Sequence, residues 1–420
     1  MTATPNPPAP GTPPSGAGRV VVVAPGASPT PTVGIQEAIN SLRAGGGGTV
    51  QLSAGVFVLK DTVRLAPGTR LLLQGATIQF PPTAVPGIAS SNATDLTIAG
   101  SGSFVTSAPQ QPGIVLIGCQ RVVFDGDFTF SGWTGTTNME AVRTLGCNGL
   151  RLAGWRTGDS SLLRSVGDSN IEVCRMSGRL APTAKFSSRP FVHLGTSVDH
   201  PTMSNIRVHD LDFDGGGVID VSFVRVRLDQ MAGRSGTNAD IRSVHCRNGL
   251  PTSILSDCLD TYGIVGCTIS DIQADGCYTG LAIANTKCVA TDSVATNCFG
   301  QGLVVGGAPQ LGDFSDVTVT NFQARACCRG TKLGPHWVNG QILAAAESGR
   351  VDNLLFRNCV ADATGSPNGF HGFSVTGATM GVCTIDGGRF IGVGGGQHLF
   401  VAPVVPRGIL RQMTAPSLGR

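Results

Sequence analysis

The first regular pattern of apolar and polar positions lies in residues 35–59. Over 35–44 the apolar residues recur every three or four positions, at Ile35, Ala38, Ile39 and Leu42. This spacing predicts a short amphipathic helix. The four glycines at 45–48 end the helix, because glycine readily adopts the left-handed conformation of a helix C-cap. Apolar residues then alternate over 50–52 and 56–58, which predicts two short strands with one buried face each.

A sequence repeat recurs along the chain. It consists of a polar start, a short alternating strand, a polar corner and a second strand. Its clearest copies begin at Asn170, Asn205, Asp240, Gly266, Asp316 and Asn353. Helical periodicity is almost absent after Leu42, which argues against alternating strand–helix units. The pattern therefore predicts an all-β solenoid, a parallel β-helix with a short N-terminal capping helix. A β-sandwich or propeller is the alternative, but its antiparallel strands would need hairpin turns between neighbours.

The run IQEAINSLRAGGGGTVQLSAGVFVL at 35–59 resembles the cap-helix entry of the pectin-lyase-like superfamily. This superfamily contains polysaccharide lyases, glycoside hydrolases and phage tailspikes built as right-handed parallel β-helices. Its members often carry an aspartate-rich segment before the helix, whereas 25–30 reads PGASPT here. The resemblance is thus to the architecture rather than to one subfamily. It implies a single-domain right-handed β-helix and a polysaccharide-degrading enzyme, hydrolase or lyase, with a groove on one face.

Composition divides the chain of 420 residues into three parts. Residues 1–19 are rich in proline and glycine and predict a disordered leader. Residues 20–400 carry the repeats and predict the β-helix domain, and 401–420 predict a C-terminal tail. The leader has neither a basic nor an apolar segment of the kind found in signal peptides, so we expect a cytoplasmic or virion-associated protein.

Charge and hydropathy narrow the expected partners. The formal net charge is +3, and basic residues form no stripe with interleaved aromatics, so we expect no nucleic-acid partner. No apolar run approaches the length of a membrane span, so we expect no membrane partner. A polysaccharide is the partner that the resemblance implies. It also favours a homotrimer, because many tailspike-like β-helices are trimers. A monomer is the alternative, because no trimerisation module is recognisable in the sequence.

The chain has 13 cysteines, but no CxxC pair and no spacing typical of a zinc site. We expect them to be small apolar residues stacked on successive rungs, and we predict no metal cofactor from them. The adjacent pair Cys327–Cys328 is expected to point to opposite faces of a strand, with one thiol exposed.

The acidic motif SDCLDTY at 256–262 is the strongest candidate for catalysis. Asp257 and Asp260 are three apart and straddle a predicted strand end, so both carboxylates can reach one groove. They resemble the Asp-x-x-Asp pair of tailspike endoglycosidases, where a further carboxylate comes from an earlier rung. Asp229 is the candidate for that third acid, with Asp220 behind it. The alternative for each aspartate is a corner residue that caps backbone amides.

Substrate-binding candidates lie on both sides of that motif. Arg225 and Arg227 alternate on one strand, and their guanidinium groups would share a face suited to clamping a carboxylate. Tyr262 ends the acidic motif itself. The alternative for the two arginines is a solvated strand face.

Two longer segments between rungs add weaker candidates. Lys332, His336 and Trp337 lie in the segment RGTKLGPHWVNG, where a tryptophan can stack on a sugar ring and a lysine or histidine can act as a base. His193 and His200 lie in an earlier insertion. Ordinary loop structure is the alternative for all five residues.

The segment HDLDFDG at 209–215 begins like a calcium loop, with oxygen ligands at alternate positions. Its twelfth position would be a valine rather than a glutamate, and the segment coincides with a repeat. An outward acidic strand face is therefore the alternative, with Asp210, Asp212 and Asp214 on the outer surface.

Two functions other than a depolymerase remain open from the residues. One is a glycan-binding adhesin or structural tail protein without catalysis. The other is an epimerase or isomerase acting on uronates, because the fold does not fix the function.

Overall fold

Parallel strands form almost all of the regular structure, and one short helix covers the first rung. The computed structural model describes residues 18–26, 28–82, 85–107, 110–134, 139–184, 189–228, 233–306, 313–330, 340–346, 349–366, 371–394, 396–414 and 417–418. Within these ranges, no helix has the length and apolarity needed to cross a bilayer.

The elements follow one another as β1 (Val20–Val23), α1 (Ile35–Arg43), β2 (Gly48–Leu52), β3 (Gly55–Val58), β4 (Val63–Arg64), β5 (Thr69–Gln79), β6 (Ile88–Ser91), β7 (Thr94–Val105), β8 (Ile114–Ile117), β9 (Gln120–Ser131), β10 (Val142–Leu145), β11 (Asn148–Thr157), β12 (Leu163–Val166), β13 (Ser169–Arg179), β14 (Val192–Gly195), β15 (Thr202–Asp214) and β16 (Val224–Arg227). The second half contains β17 (Ser235–Arg247), β18 (Leu259–Asp275), β19 (Leu281–Thr291), β20 (Val294–Thr296), β21 (Leu303–Gly306), β22 (Phe314–Thr320), β23 (Gln323–Arg325), β24 (Gly340–Ala345), β25 (Val351–Arg357), β26 (Val360–Asp362), β27 (His371–Thr376), β28 (Cys383–Asp386), β29 (Arg389–Ile391), β30 (Leu399–Val401), β31 (Leu410–Thr414) and β32 (Ser417–Leu418).

Each rung contributes to three parallel sheets. Sheet A is formed by β4, β6, β8, β10, β12, β14, β16, the first four residues of β18 and of β19, β21, β24, β27 and β30. The long strands, such as β13 and β15, bend once: their first halves form sheet B and their second halves form sheet C. Residues on successive rungs therefore stack in columns at the spacing of neighbouring strands, about 4.8 Å.

Left-handed backbone residues make the bends between sheets. Four asparagines stand where the chain turns into sheet B, and each amide after the first bonds to the one before it along the ladder Asn148, Asn170, Asn205 and Asn238. The last three have φ between 53° and 56°. Asparagine tolerates this conformation better than most residues, and its amide can both donate and accept.

The N-terminal cap matches its sequence pattern. The helix α1 ends at Arg43, and its four apolar positions Ile35, Ala38, Ile39 and Leu42 are all buried. Gly47, just past the helix, has φ 113°, and a Cβ there would come within 2.4 Å of the Gly68 carbonyl oxygen. The glycine run therefore allows both the helix end and a close approach between two backbones.

The interior is a continuous apolar column, and all 13 cysteines are buried free thiols, as their spacing predicts. The expectation of an exposed thiol at Cys327–Cys328 is wrong. Cys328 has φ 60° and leaves the strand geometry, so side-chain alternation fails and both thiols are buried. Parallel pairing also continues past residue 400, because β31 pairs with β28 and β32 with β29.

Candidate functional site

Sheet A brings the predicted aspartate pair together with both predicted arginines. Asp260 is the second residue of β18, and its register partners are Arg225 on one neighbouring rung and Ala282 on the other. Asp257 lies two residues before β18, at the turn where the chain enters sheet A. Arg227 is two residues beyond Arg225 on β16, so both guanidinium groups lie on the outer side of the same strand.

A single hydroxyl links the two carboxylates. Ser222 Oγ lies 3.3 Å from Asp257 Oδ2 and 3.4 Å from Asp260 Oδ2, and it accepts a hydrogen bond from Arg225 Nε at 3.2 Å. Arg227 Nη1 donates to Asp260 Oδ2 at 2.8 Å, and Arg225 Nε lies 3.5 Å from the same oxygen. The structure therefore brings two carboxyl groups, two guanidinium groups and one hydroxyl into a compact cluster.

The two carboxylates have different surroundings. Asp260 is 2% exposed and lies between two arginines. Asp257 is half-buried. Its burial and the nearby charge of Asp260 raise the pKa of Asp257 to about 7, although Thr279, Arg225 and Ser222 favour its charged form. At neutral pH a large fraction of Asp257 therefore holds its proton.

Tyr262 belongs to the same cluster. Its ring lies next to the Arg227 guanidinium, with 5.8 Å between Cζ and the ring centroid, a distance at which cation and ring attract. Burial and the charges of Asp260 and Asp257 raise the pKa of Tyr262 well above its ordinary value, so the phenol remains a hydrogen-bond donor. A cavity of about 230 Å³ begins just beyond Tyr262, lined by Gly263, Ile264 and Ala284 among others.

The structure adds functional candidates that the sequence reasoning missed. The column that ends at Asp260 runs through Arg143, Arg164, His193 and Arg225 on successive rungs. Arg143 and Arg164 were not singled out, because each belongs to an irregular rung whose register the sequence does not reveal. Ser222 and Thr279 were also missed. Ser222 occupies the position of Asp257 on the preceding rung, and Thr279 occupies it on the following rung. Both side chains hydrogen-bond to Asp257.

His193 and His200 occupy different surroundings. His193 is 7% exposed and lies in the arginine column, so it belongs to the sheet A face. His200 packs against the turn glycines Gly146 and Gly167, and its backbone N–H is bonded to Ser197 Oγ. The structure therefore brings only His193 into the column that leads to Asp260.

The acidic strand face at 209–215 forms ion pairs rather than an open calcium loop. Arg247 Nη1 lies 2.8 Å from Asp212 Oδ1, and Arg247 Nε lies 3.2 Å from Asp214 Oδ2. The expectation that Asp214 lies on the outer surface is wrong, since it is 5% exposed. Its carboxylate bonds to the amides of Asn248 and Gly216 at the corner.

Four predicted site residues lie outside the described residues: Asp229, Lys332, His336 and Trp337.

No family model matches this chain, and no curated protein matches it. Several solved structures, in contrast, are similar to this chain. The catalytic domain of a GH87 α-1,3-glucanase has a TM-score of 0.50 and 12% identity, covering 95% of this chain and 68% of that one. A surface adhesin of Streptococcus pneumoniae has a TM-score of 0.48, 15% identity and coverages of 92% and 96%. An exopolygalacturonase from Thermotoga maritima has a TM-score of 0.45, 12% identity and coverages of 97% and 93%. The chain therefore has a right-handed parallel β-helix fold.

Proposed function

We propose that this protein is a glycoside hydrolase that cleaves an acidic polysaccharide lying along sheet A. The observation that carries the proposal is the contrast between two carboxylates that share the Ser222 hydroxyl. Glycoside hydrolysis needs one carboxyl group that holds a proton and one that is ionised. Asp257 has a pKa of about 7, and Asp260 is held between Arg225 and Arg227.

In this proposal Asp257 is the general acid that protonates the leaving oxygen of the glycosidic bond. An acid whose pKa lies near the working pH combines a useful protonated fraction with easy proton transfer. Asp260 is 2% exposed, so we assign it a positioning role: its charge keeps the proton on Asp257, and its ion pairs fix the arginines. Asp229, which lies outside the described residues, remains the predicted further carboxylate from an earlier rung.

The arginine column supports an acidic substrate. Arg143, Arg164 and Arg225 stack with His193 on four successive rungs that lead to Asp260. A guanidinium group presents a fork of donors that matches a carboxylate or sulfate of a sugar. An acidic glycan chain extended across the rungs would pass along this column, in which Arg143 is 25% exposed and paired with Glu140, and His193 is 7% exposed.

The test compares wild type with Asp257→Asn on a panel of acidic polysaccharides. We expect wild type to release reducing ends without the ultraviolet absorbance of an unsaturated uronate. The variant should fold and bind normally but lose about 10²–10⁴-fold in rate. The control is Asp127→Asn, because Asp127 is 60% exposed on sheet C and pairs only with Arg156 among the described residues. Full activity of Asp257→Asn on a cleaved substrate would exclude the proposed acid.

A non-catalytic glycan binder is the second candidate, and the burial of Asp260 favours it. With Asp260 covered, Asp257 is the only carboxylate of the pair that a ligand would reach. Binding without any cleaved or epimerised product would support the adhesin. Unsaturated products would instead indicate a lyase, and a changed uronate composition at constant chain length would indicate an epimerase.

A further inference from the structure

A second cluster of reactive side chains lies on sheet B, away from the aspartate pair. Glu172 and Cys174 are on β13, and His209 is on β15, where its register partner is Cys174. Among the residues that the structure describes, these three form the one group of potential metal ligands found with donor atoms all within 4.8 Å of one another. Cys174 is 1% exposed and the other two are half-buried. The parallel register brings together residues that are far apart in the chain.

The distances and donor types suit a tetrahedral zinc ion. Zinc binds thiolate, imidazole and carboxylate donors at about 2.0–2.3 Å, which puts neighbouring donor atoms roughly 3.3–3.8 Å apart. His209 Nε2 already lies 3.1 Å from Glu172 Oε1. A thiolate is a poor ligand for calcium or magnesium, so the donor set selects a softer transition metal.

The surrounding residues hold the proposed ligands in the orientation that a metal needs. His209 Nδ1 is 2.8 Å from Asp210 Oδ2, an arrangement in which the carboxylate fixes the ring and leaves Nε2 for a metal. Arg151 pairs through Nη1 with Glu172 Oε2 and through Nε with Asp125 at 2.8 Å. The contact from Arg151 occupies one oxygen of Glu172 and leaves Oε1 on the side of the cysteine and histidine.

We infer that Glu172, Cys174 and His209 bind one zinc ion on sheet B, with a water molecule as the fourth ligand. The side chains of His209 and Glu172 are 14% and 19% exposed, so solvent has access to that fourth position. A site with three protein ligands and one water is typical of zinc that takes part in chemistry rather than of closed structural zinc. This inference does not depend on the proposed hydrolase.

The test measures zinc and cobalt binding to the full-length, tag-free protein. After removal of metal with a chelator, we expect titration with zinc alone to show one site per chain. Cobalt(II) should give the visible bands of tetrahedral coordination and a thiolate-to-cobalt charge-transfer band. Asp210→Asn removes only the group behind His209, and we expect affinity to fall by about 10–100-fold.

Ligand variants and matched controls complete the test. Cys174→Ser and His209→Gln should weaken binding more than Asp210→Asn, and Cys174→Ser should abolish the charge-transfer band. Cys288→Ser alters another buried thiol, and His245→Gln alters a histidine 39% exposed on sheet C; neither should change binding. Circular dichroism of each metal-free variant checks that it folds.

Two results would overturn the assignment. One is a wild-type protein that binds less than one zinc ion per chain at micromolar concentration. The other is a folded Cys174→Ser variant that binds zinc with unchanged affinity and keeps the charge-transfer band, since the metal would then be held elsewhere.

Discussion

Sheets A and B differ in how often like charges follow one another on neighbouring rungs. On sheet B, opposite charges meet on neighbouring rungs: Arg207 lies 3.9 Å from Asp240, and Arg357 lies 2.9 Å from Asp386. On sheet A, Arg164 stacks directly on Arg143, and His193 follows on the next rung.

We propose that this difference separates charges that serve the fold from charges that bind a ligand. Opposite charges facing each other across strands stabilise a sheet, whereas like charges destabilise it. Sheet B is therefore balanced by its own ion pairs. On sheet A the basic column also has acidic partners, because Arg143 pairs with Glu140 and Arg225 with Asp260. What distinguishes sheet A is that its basic residues follow one another on successive rungs, and the proposed glycan site rests on that column.

The largest expected effect comes from replacing Asp260 with asparagine. Without the charge of Asp260, Asp257 should lose its proton at a lower pH. We expect activity near neutral pH to fall by about 10²–10⁴-fold and the alkaline limb of the pH–rate profile to move toward acid. Kinetics from pH 4 to 8 would measure both effects, with circular dichroism to confirm folding. An unchanged pH profile in a folded Asp260→Asn variant would contradict the link between the two acids.

A charge reversal in the arginine column tests the sheet comparison itself. Arg164→Glu places an acid between Arg143 and His193 and makes the column resemble those of sheet B. We expect affinity for an acidic polysaccharide to fall at least about tenfold, equivalent to 1.4 kcal/mol. Affinity electrophoresis measures this effect, and thermal unfolding checks that the variant folds.

The control for that reversal is Arg156→Glu. Arg156 is 65% exposed on sheet C and pairs with Asp127 at 2.9 Å, outside the column. If both reversals weaken binding equally, the attraction is a property of net charge rather than of sheet A.

The raised pKa of Asp257 also predicts how stability depends on pH. The folded state keeps the proton up to about pH 7, whereas the unfolded chain loses it near pH 4. The unfolded state therefore binds fewer protons between these values, and the contribution of Asp257 to stability falls as pH rises from about 4 to 7.

Thermal unfolding of wild type and Asp257→Asn at several pH values would measure this contribution. The stability of wild type relative to the variant should decrease over that window and level off above it. A difference that is constant from pH 4 to 8 would show that Asp257 titrates normally.

The smallest expected effect concerns the ion pairs of sheet B. Arg357→Ala breaks a pair in which Arg357 is 46% exposed and Asp386 21% exposed. Pairs of this kind contribute less than about 1 kcal/mol, and chemical denaturation should show a loss within that limit. A larger loss would mean that the ion pairs between neighbouring rungs of sheet B are essential to the stability of the fold.

The architecture and part of the site were predictable from the sequence. Alternating apolar residues and Asn, Asp or Gly corners mark each rung, because parallel strands with left-handed bends require both. Asp257, Asp260, Arg225 and Arg227 were identified because they are close in sequence or alternate on one strand.

The remaining partners were hidden by the irregular length of the rungs. Ser222 lies 35 residues before Asp257, and His209 lies 37 after Glu172, whereas Asn285 bonds to Thr261 from a rung only 24 residues away. Loops of variable length leave the β-helix between sheets, so no fixed sequence spacing identifies which residues stack. The zinc ligands were missed for this reason, since the spacing rules for zinc sites assume ligands from one local motif.

In the proposed hydrolase, the column from Arg143 to Asp260 would act as a molecular ruler. It contains four inter-strand steps, which together measure about 19 Å, and the proposed cleavage point stands at one end. A polymer aligned along the sheet would be held at fixed intervals from that point, so the length of the bound section decides how far from its end the chain is cut. We therefore expect products of a preferred size, and a variant lacking the basic group at Arg143 should shift that size distribution before it lowers the cleavage rate.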